Sequence, residues 1–356
     1  MITLIYRGLA VIACVLLFPF DVAFALEPGE GIVLDPVTGN YMLTYSEVLE
    51  NGNKVLTHGV FFPATKIAPA INSKFRFDRT GAVIYSYSVS SGAQSRQLLH
   101  TVRFDLFDRI VGSQDLPTNM QTTTEQQVAA VFEANKLALT TPSAWEGFIS
   151  TNQSGASRIT WNPINSGAGI RPGESQPGFG FVSQSLPGLD AAQLKGIRDG
   201  RNGFSGEGPD PSSDISKQIQ ALYQNDFIIR PAAVPTIAVP TPFDPAITLE
   251  RIQIHTHTWI AKQLLDPAFS AQLDRYFQSA ISAYRLNQPK AGKKHIQTMR
   301  ELIKKEHADA DREDDSGEME YDGDKTKRPL IDKLAARILD FDLKYVTKRM
   351  GGDKDD

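Results

Sequence analysis

The chain holds a single cysteine, Cys14, in 356 residues. It lies in the N-terminal apolar run, so the sequence downstream of it has no disulfide, no thiolate nucleophile and no cysteine metal site. A chain of this length folds without such staples, because the fraction of surface buried grows with size. An excess of one charge is missing too. The formal net charge is −4, which is small and of the wrong sign for a nucleic-acid partner. Beyond the first 25 residues there is no long hydrophobic run. The first run is itself broken by Pro19 and Asp21 and falls short of the roughly 20 residues that span a bilayer. Phosphate-cradling GxxxxGK[ST] loops and HExxH metal pairs are also lacking. "GESQPG" around Ser175 lacks the glycine spacing of a nucleophile elbow. No catalytic residue is assigned, and no cofactor is expected beyond weakly held calcium.

What is present begins with an address. Arg7, the apolar stretch "GLAVIACVLLFPF" and the small residues of Ala23-Phe24-Ala25 have the layout of a secretory signal peptide over residues 1–25, cleaved after Ala25. Ending the signal at Cys14 as a lipoprotein box leaves too short an apolar stretch before the cysteine. The expected location is secreted or periplasmic, with no membrane span after cleavage.

From Gly31 to about Ile110 the apolar pattern has period two. Tyr41, Leu43 and Tyr45 share one face, Asn51-Gly52 marks a hairpin, and Val83, Tyr85, Tyr87 and Val89 alternate after a turn at Thr80-Gly81. "HTVRFDLFDRIV" puts Val102, Phe104 and Leu106 inward and its charges outward. Further strands are expected around Trp145, Trp161 and Phe181. Strands at this spacing, each with one wet face, predict an antiparallel, immunoglobulin-like β-sandwich over residues 26–195. Residues 196–243, with "GIRDGRNGFSGEGPDP" and "RPAAVPTIAVPTPF", read as a Gly/Pro-rich linker holding one short helix from Ser213 to Tyr223.

Beyond Phe243 the period becomes helical. Asp244-Pro245 and Asp266-Pro267 are N-cap plus N1 signals, since the carboxylate accepts orphan N–H groups and proline is tolerated in the first turn. Four amphipathic helices predict a bundle over residues 244–350, interrupted by an acidic loop at 307–328 and followed by a disordered tail, 351–356. The expected fold class is therefore multi-domain β plus α, a sandwich followed by a helical bundle.

Two similarities accompany these patterns. "DPVTGNY…FFPATKI…YSYSVSSG" with "PGESQPGFG…SLPG" resembles a group of uncharacterised exported bacterial proteins. "FSAQLDRYFQSAISAY…AGKKHIQTMRELI" resembles the FIVAR-like helical-hairpin repeats of extracellular bacterial proteins. The resemblances imply export and helical hairpins, and they bring no catalytic residues.

Three sets of residues are site candidates. His255 and His257 in "RIQIHTHTW" are two apart, a spacing that shares one face only in a strand. In a helix such residues point about 200° apart and do not chelate together. The Leu249–Ile252–Thr256–Trp259 stripe favours helix, so no metal is expected there. Asp309, Asp311, Glu313 and Asp315 supply oxygen ligands at alternate positions for a weak calcium site. The glycine and final glutamate of an EF-hand are absent, and a solvated loop is the plainer reading. Tyr41, Tyr85, Tyr87 and Trp161 are the candidates for a sugar-stacking platform, although alternating tyrosines are more often core.

The function expected from these features is non-catalytic. It is binding or scaffolding at the bacterial envelope or outside it, with an envelope polymer such as a polysaccharide, or an envelope protein, as partner. The alternative is a secreted carbohydrate-active hydrolase with unassigned acid residues. A basic helix over 290–305 offers a further docking face for an acidic polymer.

Overall fold

The computed structural model describes residues 26–106, 110–114, 124–151, 157–200, 203–204, 208–306 and 329–351. The leader 1–25, the acidic segment 307–328 and the tail from 352 lie outside the described residues. Among the described residues the fold mixes β and α, with three antiparallel sheets and six helices. In chain order come β1 (Gly31–Leu34), β2 (Tyr41–Val48), β3 (Lys54–Phe61), β4 (Pro69–Phe77), β5 (Val83–Ser91) and β6 (Leu99–Leu106). Helix α1 (Glu125–Leu137) precedes β7 (Leu139–Thr140), β8 (Trp145–Thr151), β9 (Ser157–Pro163), β10 (Ser175–Ser183), β11 (Leu186–Gly196) and β12 (Gly203–Phe204). Then follow α2 (Asp214–Gln224), β13 (Ile228–Ile237), α3 (Pro245–Ala261), α4 (Pro267–Arg285), α5 (Pro289–Glu306) and α6 (Lys333–Arg349).

The chain divides into two compact units, one of residues 1–62 with 201–225 and one of 63–200 with 226–356. The first is a sheet in the order β1-β2-β3-β12 with helix α2. Gly52 takes φ +79° in the β2–β3 connection, the left-handed geometry for which its lack of a Cβ suits it. Leu43, Tyr45 and Phe61 on one face bury against Ile215 and Ile219 of α2. The Ser213 hydroxyl caps that helix by accepting the Ser216 N–H.

The second unit contains sheets of order β4-β5-β10-β7 and β13-β11-β6-β9-β8. Their apolar faces meet: Tyr87 lies 4.6 Å from Phe104 and Trp161 5.7 Å from Phe179, ring centre to ring centre. Side chains of this size contribute roughly 1.5–3 kcal/mol each when fully buried. Asp244, Asp266 and Asp332 each accept two backbone N–H groups at the starts of α3, α4 and α6. The helices do not close on themselves. Phe341 and Tyr345 of α6 pack edge-on against Phe75 and Phe77 of β4, at 4.9 and 5.8 Å. Arg337 donates to the Ser73 carbonyl.

Two expectations change here. The helical segment 244–350 is not a domain apart from the strands, because its apolar stripes and the sheets share a single core. The stretch 196–243 is not only a linker either. It supplies α2 to the first unit and β13 to the second, where nine residues pair with β11.

Candidate functional site

The aromatic candidates separate. Tyr85, Tyr87 and Trp161 are 1%, 2% and 0% exposed. Tyr85 donates to the Ser185 carbonyl at 2.9 Å and Tyr87 to the Ala233 carbonyl at 2.7 Å. Burial pushes the Tyr87 phenol well above its usual range. These three are core residues, because the alternation that makes a strand two-faced puts them on its dry face, and they form no platform. Tyr41 belongs to the other unit, half-buried and edge-on to Phe61 at 6.0 Å. The calcium candidates Asp309, Asp311, Glu313 and Asp315 lie outside the described residues. Among the described residues no group of three or more histidines and acids is placed to hold a metal.

His255 and His257 both lie in α3, and their roles diverge. Nε2 of His255 accepts the Leu189 N–H of β11 at 3.1 Å. Burial, then the charge of Lys262, against the pull of Asp190, lower its pKa to about 4. It is a neutral acceptor that fixes α3 to the sheet. His257 meets the Asp274 carboxylate of α4 at 2.7 Å. Asp274 also accepts from Gln253, and Gln253 accepts from Gln278. This is an oriented imidazole of the kind general bases use, but no hydroxyl or thiol of the described residues bonds it.

The basic helix is α5, with Ile296, Met299 and Ile303 buried. Lys290, Lys294, Lys304 and Lys305 are exposed, while Arg300 pairs with Asp340 of α6 at 2.7 Å.

A more ordered polar surface lies on the outer face of the five-stranded sheet. Register and alternation build it in rows across the strands. Ile229, Gln193, Arg103, Thr160 and Phe148 form one row, from β13 to β8. Lys195 pairs with Thr101 in the next, where the Thr101 hydroxyl donates to Asn162 at 2.9 Å and Asn162 pairs with Glu146. A chain of bonds links the first row to Asp105 and Arg158, which pair across β6 and β9. Arg103 donates to Gln193, Gln193 to Asp105 at 3.0 Å, and Arg158 to the other oxygen of Asp105 at 2.5 Å. Phe227, just ahead of β13, carries two cations: the Arg103 guanidinium at 4.1 Å and the Lys195 ammonium at 4.8 Å from its ring centre. Phe148 and Ile229 remain 41% and 52% exposed at the two margins.

The electrostatics of this face are under-compensated. Lys195 is shifted below its ordinary value, first by burial and then by Arg198, with Asp226 3.7 Å away opposing. Arg103 is shifted the same way by burial and by Arg158, against Asp105. Asp226 itself is spoken for. One oxygen accepts the Ala64 N–H at 2.7 Å and the other takes Arg198 at 2.6 Å. The outward charges of β6 were visible in its alternation, but their meeting with Phe227 and Lys195 was not, since those come from distant segments. No family model matches the chain and no curated protein matches it.

Proposed function

We propose that this is an exported, non-catalytic binding or scaffolding protein of the bacterial envelope or extracellular space, and that it binds polysaccharide on the outer face of its five-stranded sheet. The observation that supports the site is Phe227 carrying Arg103 and Lys195 within an ordered, part-exposed array of hydroxyl and amide side chains. Such an array pre-organises its groups, so little side-chain freedom is lost on binding. Export and a secreted or periplasmic location rest on the tripartite pattern of residues 1–25. The two stacked sheets are taken as an immunoglobulin-like sandwich, a fold whose exposed sheet faces are free to carry such sites.

The test is co-sedimentation of the purified protein with insoluble envelope polymers, alongside an assay for released sugar. Retention without product is expected. Release of soluble sugar would identify a hydrolase instead, and absence of retention on every polymer would remove the binding role.

A further inference from the structure

We infer that the ligand of the outer sheet face is an acidic polysaccharide, whose carboxylates are met by Arg103 and Lys195 while its sugar rings lie over Phe227 and Phe148. This rests on the binding role proposed above and specifies the ligand class of the same face.

Charge comes first. Four cations gather here, Arg103, Arg158, Lys195 and Arg198, and the carboxylates bonded among them are Asp105 and Asp226. Glu146 stands at the far margin of the sheet, across Asn162 from Thr101. The two carboxylates are engaged by Arg158 and Arg198. Arg103 donates to the neutral Gln193 amide, stacks on the Phe227 ring and feels the charge of Asp105, whose oxygens accept from Arg158 and Gln193. Lys195 shares Asp226 at the longer distance of 3.7 Å. An incoming carboxylate relieves the repulsion between these neighbouring cations. The guanidinium fork suits this, because two parallel N–H bonds match a carboxylate's geometry.

The company these cations keep selects the polymer. Thr101, Thr160, Asn162 and Gln193 on the same face supply hydroxyl and amide groups that match sugar hydroxyls. Aromatic rings present flat apolar faces to pyranose C–H groups. A protein partner would need a deeper apolar anchor, since binding energy concentrates in fully desolvated pockets. Helix α5 is the weaker place for an acidic chain. Glu301 and Glu306 stand among its lysines, and its Arg300 is already paired with Asp340.

The experiment compares retention of the purified protein on immobilised polygalacturonate and on its methyl ester, the same sugar with its charge removed. Retention on the acid form is expected, falling steeply as salt rises from about 0.05 to about 0.5 M. Arg103→Gln with Lys195→Gln is expected to weaken it about tenfold or more. Lys195→Gln alone, partly exposed and therefore benign to folding, is expected to weaken it measurably with its melting unchanged. Equal retention on the ester, insensitive to salt and to both variants, would leave the sugar-binding role standing and overturn the acidic ligand. Loss on Lys290→Gln with Lys294→Gln but not on the sheet variants would move the site to α5 and overturn it as well. Retention on neither polymer would overturn the acidic ligand while leaving the binding role to the envelope-polymer assay above.

Discussion

Asp342 sits in the middle of the buried face of α6, 1% exposed, and neither carboxylate oxygen has a hydrogen-bond partner among the described residues. Burial pushes its pKa well above the usual carboxylate range, so the folded protein holds a proton that the unfolded chain gives up. Stability from this site is therefore full below the unfolded pKa and drains as pH rises from near 4 toward the folded value. Asp342→Asn removes the titration. Its advantage over the natural chain is expected to grow by about 1.4 kcal/mol per pH unit within that window, read by urea unfolding across pH. A pH-independent difference would place the carboxylate in contact with a partner. His255 works in the opposite sense. Its folded pKa of about 4 lies below the ordinary 6.5, so the stability it brings is present above 6.5 and is lost as pH falls toward 4. The whole effect is about 3 kcal/mol. The excess stability of the natural chain over His255→Gln is expected to shrink across that interval. Parallel pH profiles for the two proteins would contradict the assignment of His255 as a neutral acceptor.

Elements show which signals are local. The starts of α3 and α4 were legible because a capping carboxylate and a first-turn proline act within one turn, and the structure has Asp244 and Asp266 accepting those N–H groups. The inward stripes of α3 to α6 were legible for the same reason. Helix α1 was not, since only Val131 and Asn135 of its thirteen residues are buried and no apolar stripe forms. Strand β13 was hidden by Pro231 and Pro235, which suggest a linker. It lies at the edge of its sheet, where one side of the strand needs no ladder partner and proline is tolerated. Alternation likewise showed which residues of β5 share a face but not which face is wet, so Tyr85 and Tyr87 were open to both readings until packing decided. Gly188 of β11 shows how closely elements approach. A Cβ there would collide with the Thr236 hydroxyl and the His255 imidazole. Gly188→Ala is expected to cost about 2–3 kcal/mol in denaturant unfolding, with part recovered when Thr236→Ala is added. An unchanged midpoint would mean that α3 sits farther from β11.

Over the whole chain, the backbone passes between the two units near residues 62, 200 and 225. Within the second unit Asp226 holds the Ala64 N–H, Arg198 and Lys195. Removing a buried carboxylate leaves its cations and N–H uncompensated, though part of that cost is screened because Arg198 and Lys195 are partly exposed. Asp226→Ala is expected to cost about 2–3 kcal/mol and to speed proteolytic cleavage around residues 62–64 and 225–227. Digestion at the natural rate would mean the passages are held by other contacts. The same residue neighbours the cation array of the proposed binding face. Whether that face is where ligand lands is the point on which function turns, and backbone hydrogen exchange with and without bound envelope polymer reads it directly. Slower exchange in 99–106, 157–163 and 186–196 is expected. Protection confined to 289–306, or no change in the sheet while the polymer is demonstrably bound, would contradict it.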